Sequence, residues 1–181
     1  AETSMAQIFA ISPANAVARR TLMGLAALMF ILAIIVGWAA REAPVAQVIA
    51  GVTTLASGGF FPWFLRAQAS SRVLVSGEGV KIETPLYGRT IAAAAIVPGS
   101  VRLASLAGAS GDRLQWRTNG LGVPGYQLGW FRTAGGKKAL VAAGQPDVVS
   151  FETSEGYSVF LGVDDAKGLE SALGSAFPGR G

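Results

Sequence analysis

The residues best spaced to do chemistry in this sequence are glycines. Gly120-Leu121-Gly122-Val123-Pro124-Gly125 fits G-x-G-x-x-G, the spacing with which dinucleotide-binding units receive a pyrophosphate. That use requires a helix to open directly after the glycines, because its N-terminal amides and dipole hold the anion. Here the following residues alternate, with Tyr126, Leu128 and Trp130 on one side and Gln127, Gly129 and Phe131 on the other. Gly129 further disfavours a helix. Asp147 lies near the position of a ribose-binding acid, but it follows Pro146 and no crossover helix precedes it. The stretch is expected to be a loop between antiparallel strands rather than a phosphate cradle.

Other catalytic patterns fail more simply. Gly136-Lys137 lacks the preceding P-loop glycine, and Lys138 stands where Ser or Thr is required. No G-x-S-x-G occurs. The sequence has no Cys and no His, which removes thiolate nucleophiles, imidazole bases, Ser-His-Asp triads and the commonest zinc ligands. Asp164-Asp165 are adjacent at a helix start, where capping explains them. Glu152 and Glu155 flank a turn, and Arg89, Arg113, Arg117, Arg132, Lys137 and Lys138 are dispersed; all read as solvated surface. The expectation is a chain with no catalytic residues, no cofactor and no metal, and not an enzyme.

Charge and composition indicate where such a chain resides. The net charge of +4 divides evenly, with four Arg against two Glu up to Ser70 and eleven basic against nine acidic residues beyond it. No clustered basic face of the kind nucleic acid requires is visible. Of the 181 residues 51% are hydrophobic and 14% charged, where soluble domains carry about 25% charged. The excess lies before Arg66.

Thr21 to Ala40 carries no charge and, at ~1.5 Å per residue, matches a bilayer core of ~30 Å. Arg19-Arg20, the apolar run and Trp38-Ala39-Ala40 imitate a cleaved signal peptide, but the run exceeds the ~7–15 residues of one. A transmembrane helix over 21–40 is expected. Pro44 to Leu65 is a second uncharged stretch, with a small, polar face at helical spacing: Gln47, Ala50/Gly51, Thr54 and Ser57/Gly58. Such a face packs against another helix in lipid. Its partner is either the first span, through Gly24, Ala26, Ala33 and Gly37, or a different protein. Arg41 to Pro44 forms the turn between spans, and Pro62 is placed to kink the end of the second. Phe60, Phe61, Trp63 and Phe64 read as an interfacial aromatic belt, with Trp38 marking the opposite interface. Arg19, Arg20, Arg66 and Arg72 lie on one side and Arg41 on the other, so the positive-inside rule puts both termini in the cytoplasm. Residues 1–18 are expected to lie in the interface or against a neighbour through Met5, Ile8, Phe9 and Ile11.

From Arg72 the hydrophobic period becomes two. RVLVS, VKIET, YGRTIA, IVPGSVRLAS, RLQWRT, QLGWFRT, KALVAA, VVSFET and YSVFLG alternate with turns such as Gly108–Asp112, Gly135-Gly136 and Ser154–Gly156. Short strands at regular spacing predict a sandwich or small barrel. Asp164 or Asp165 can then cap a final helix carrying Leu169, Ala172, Leu173 and Ala176. The β domain is bounded at 72–177, leaving a tail over 178–181.

This order resembles the pleckstrin-homology-like fold, a strongly bent sheet closed at one end by a C-terminal helix. Arg117, Gly120, Gly122, Pro124-Gly125-Tyr126, Gly129 and Phe131 resemble a pattern of bacterial members attached to membrane helices. Phe151-Glu152-Thr153, Tyr157, Phe160, Leu161 and Asp164 fit the downstream part, and Gly79-Val80 with Thr84–Gly88 an upstream one. The turn Ser76-Gly77-Glu78-Gly79 lacks the basic residues of inositol-phosphate-binding members, which argues against phosphoinositide binding. The resemblance implies a two-helix transmembrane hairpin followed by a mostly-β PH-like barrel or sandwich, in a bacterial cytoplasmic membrane with the β domain on the cytoplasmic side. The small, polar helix face and the missing catalytic residues lead to the expectation of a non-catalytic adaptor, an accessory subunit whose partners are the bilayer and other integral-membrane subunits, with respiratory or photosynthetic complexes a common setting for such subunits. The alternative is a sensor of lipid headgroups or of a soluble ligand.

Overall fold

A computed structural model describes residues 6–107 and 112–178. Met5, most of the turn at 108–112 and the end of the tail lie outside the described residues. The first helix, α1 (Ala16–Ala39), begins where Asn15 accepts the Ala18 N–H at 2.9 Å, an N-cap. It starts five residues before the charge-free window, because Arg19 and Arg20 occupy exposed positions of its first turns. The Arg41-Glu42-Ala43 turn reverses the chain, and Pro44 opens α2 (Pro44–Leu55). Next, Ala56–Phe60 forms a π-helical turn and leads into α3 (Phe61–Ala67). Pro62 has no N–H to give to the preceding turn, and Gly58-Gly59 let the backbone widen there instead of breaking. The helical run from Pro44 reaches Ser70, so both helical arms are long and apolar enough to cross a membrane.

The two arms pack antiparallel. Ala26 and Ala33 of α1 and Ala50 of α2 are buried, and a Cβ on Gly37 would sit 3.3 Å from the Ala50 methyl. Gln47 donates its side-chain N–H to the Gly37 carbonyl. Thr54 and Ser57 return their hydroxyls to the carbonyls of Ala50 and Thr53. The partner of the small, polar face is therefore α1, through Gln47, Ala50 and the buried Ser57. Gly51 and Gly58 of the same set are exposed and face open space.

Among the described residues ten strands follow or flank the helices: β1 (Gln7–Ala10), β2 (Arg72–Ser76), β3 (Gly79–Glu83), β4 (Arg89–Ala92), β5 (Arg102–Ser105), β6 (Leu114–Val123), β7 (Tyr126–Thr133), β8 (Lys138–Ala143), β9 (Asp147–Glu152) and β10 (Tyr157–Leu161). They form a four-stranded sheet in the order β1-β2-β3-β4 and a six-stranded sheet in the order β5-β9-β10-β8-β7-β6. The sheets do not close into a barrel. Isolated bridges link them at Ile11–Val163 and Ile96–Thr153. The helix α4 (Ala166–Ala176) is capped by Asp165, which accepts the Gly168 N–H at 2.9 Å, and it packs on β2 of one sheet and on β5 and β9 of the other.

One feature differs from the sequence-based reading. The segment before α1 is not merely interfacial: β1 is an edge strand antiparallel to β2, with Phe9 opposite Val73. Ile11 is buried, while Ile8 faces outward. The short run QIFA, only four residues, carries too little periodicity to identify a strand. In the six-stranded sheet β10 enters between β8 and β9, antiparallel to β9 and parallel to β8, a pairing order on which the sequence is silent.

Candidate functional site

The structure brings its most specific side-chain contacts together where the helices meet the sheets. Ala14, Ala18 and Leu22 at the start of α1 and Phe64 of α3 belong to the same buried cluster as Val73, Tyr126, Leu128 and Leu161 of the β module. The Phe64 and Tyr126 rings meet edge to face with centroids 6.2 Å apart. Burial of the Tyr126 phenol pushes its pKa up to about 12. The helix ends and the sheets therefore share one core, and the module cannot swing on its anchor without opening that core.

Polar contacts frame this junction. Gln68, 2% exposed, accepts the Ala14 N–H at 2.9 Å and donates to the Leu65 carbonyl, tying the entry of α1 to the exit of α3. Ser12 donates its hydroxyl to Asp164 at 2.9 Å, and its N–H bonds the Gly162 carbonyl at 2.8 Å. Asp164 and Asp165 thus divide their work between this tie and the helix cap.

The G-x-G-x-x-G stretch also ends here. It forms the β6–β7 hairpin, with Val123 paired to Tyr126 and Pro124-Gly125 as the two-residue turn. Gly125 has φ +83°, and a Cβ on it would overlap the Asn15 side chain. The turn is thus seated on the N-cap of α1. Gly120 and Gly129 face each other across the hairpin, each with a positive φ and no room for a Cβ. These glycines serve backbone approach within a hairpin, as expected from the alternation after Tyr126.

A second cluster joins the two sheets. Arg89 of β4 lies over the rings of Trp130 (5.7 Å) and Tyr157 (5.3 Å) of the other sheet. It donates to the Tyr157 hydroxyl at 3.0 Å and pairs with Glu155 at 2.8 Å. Lys138 sits 4.2 Å from the centroid of Trp130. Cations over ring faces are attracted by the quadrupole. Burial raises the Tyr157 pKa, opposed by the neighbouring guanidinium. Glu152, expected to be only solvated, pairs with Lys137, and Glu155 pairs with Arg89. Among the described residues no cluster of three or more acidic side chains comes together to hold a metal ion.

The anchors named from the sequence are separated along the helices. Arg19 and Arg20 stand exposed at the start of α1, and Arg66 is exposed in the last turn of α3. Trp38, 72% exposed, lies at the far end of α1 with the Arg41 guanidinium 5.8 Å from its ring. Trp63 is half exposed. Arg72 and Lys81 both pair with Glu83, at 2.6 and 2.8 Å, and hold its carboxyl below the usual range. The sequence reading did not include Asn15 or Gln68; it put Phe64 in an interfacial belt, where the structure buries it, and took Arg89 and Lys138 as dispersed surface charges, where the structure gathers them over Trp130. Asn15 had a signal, a capping residue directly before an apolar run; the others depend on contacts between distant segments. Searches against protein-family models, curated proteins and solved structures returned no match to this chain.

Proposed function

We propose that this chain is a non-catalytic membrane-anchored adaptor of the PH-like type, an accessory subunit that stabilises a larger integral-membrane complex. The observation that carries this reading is the shared core at Ala18, Leu22, Phe64 and Tyr126. A sensor on a flexible tether has no need of such a core, whereas a scaffold that must present a module at a fixed attitude does. Exposed Gly51 and Gly58 on α2 and the following turn leave backbone open for close approach by a further helix. The PH-like assignment is supported by the strand order ending in α4, which packs on both sheets. The parallel β8–β10 pair is a departure from it. Arg19, Arg20, Arg66 and Arg72 at one end against Arg41 at the other favour a cytoplasmic module. Affinity purification of the full chain in mild detergent is expected to return other integral-membrane proteins in fixed proportion. Recovery of this chain alone would overturn the reading.

A further inference from the structure

The loop between β3 and β4 returns toward the helices. Trp63, Ala67, Ser70 and Arg72 line one open groove together with Thr84 and Pro85. The pairing of Arg72 with Glu83 sets the loop beside the start of β2, which closely follows the helical run ending at Ser70. The loop's next residue, Leu86, is 48% exposed. Bonds on either side of Leu86 fix the loop: the Tyr87 N–H bonds the Thr84 hydroxyl at 3.3 Å, and the Tyr87 hydroxyl bonds Asn119 of β6 at 2.9 Å. At the base of the loop Arg72 and Lys81 pair with Glu83, and Arg66 is exposed in the last turn of α3, three cations to one carboxylate. An exposed Leu in a loop that shares a groove with the exposed Trp63, on a stretch of net positive charge, matches the chemistry of an anionic bilayer surface.

We propose that the Thr84–Gly88 loop is a second point of membrane contact, with Leu86 entering the boundary between headgroups and acyl chains. The inference rests on the reading that the two helical arms span the bilayer. Together with the shared core it fastens the β module flat against the membrane instead of letting it stand clear on its helices.

The sequence contains no Cys, so single nitroxide labels can be attached at introduced positions. Full chains carrying Leu86→Cys, Gly77→Cys or Leu28→Cys are reconstituted in phosphatidylcholine–phosphatidylglycerol vesicles. Accessibility to oxygen and to a water-soluble nickel chelate is then read by electron paramagnetic resonance. Gly77 lies in the turn at the other end of β2 and β3 with open space around it. The logarithm of the oxygen-to-nickel ratio is expected to be positive at position 86, more positive at 28 and negative at 77. A value at 86 equal to that at 77 overturns the loop contact while 28 still reports a spanning helix. Protection of 86 from both reagents overturns it as well, since protein and not lipid then covers the loop. A nickel-accessible 28 refutes the spanning helices themselves.

Discussion

Gly125→Ala tests the seating of the β6–β7 turn on α1. Two costs add at this position. The first is backbone strain: at φ +83° an L-residue with a Cβ costs roughly 1–2 kcal/mol. The second is a displaced cap. The new methyl overlaps the Asn15 amide group, which is the end of a side chain and can rotate away. Rotation breaks its bond to the Ala18 N–H, and losing such a cap costs about 1 kcal/mol. The expected total is roughly 2–3 kcal/mol. Gly136 supplies the control, because it has φ +78° and nothing within 4 Å of an added Cβ, so Gly136→Ala carries the strain alone. Denaturant unfolding of the full chain in detergent micelles, followed by near-ultraviolet circular dichroism, compares them. Asn15→Ala alone should cost about 1 kcal/mol, and in that background Gly125→Ala should cost only the strain, a coupling of about 1 kcal/mol. Equal destabilisation by Gly125→Ala and Gly136→Ala, or a Gly125→Ala cost unchanged in the Asn15→Ala background, refutes the seating.

Further outcomes follow from the same core. Gly129→Ala should destabilise by roughly 2–4 kcal/mol and leave little soluble module, because its Cβ would lie 2.5 Å from the Asn119 carbonyl oxygen and 2.7 Å from the Gly120 Cα, backbone atoms that cannot rotate aside. Alkaline titration reads the buried Tyr126. With its pKa raised from ~10 to about 12, the folded state holds a proton that the unfolded state releases, so stability is full below pH ~10 and falls as pH rises to about 12. Tyr126→Phe should remove roughly 2–3 kcal/mol of that loss and leave a shallower decline from Tyr157, whose pKa is raised in the same sense. An unchanged alkaline slope in Tyr126→Phe would show that the phenol is hydrated in the folded chain.

Local physics determined much of this protein from the sequence alone. Uncharged runs as long as a bilayer's hydrocarbon core is thick read as long helices, so the helical arms and their Arg41–Pro44 turn were legible. A period of two located the strands after Arg72, several to within a residue, and KALVAA is β8 without adjustment. Pro124-Gly125 was legible as a turn and Asp165 as a cap because both act within a few residues. The tertiary structure alone decided what each element touches. Alternation states which face of a strand is buried but not which strand lies beside it, so the split into two sheets and the parallel β8–β10 pair were out of reach. A charge-free window measures the lipid-matched part of a helix, not its full extent, so the start of α1 at Ala16 was missed. Gln68 with Ala14, Phe64 with Tyr126 and Arg89 with Trp130 join residues far apart in the chain. Such pairs exist only once the sheets have folded onto each other and onto the helix ends, and they turn a helical hairpin and a β module into one body.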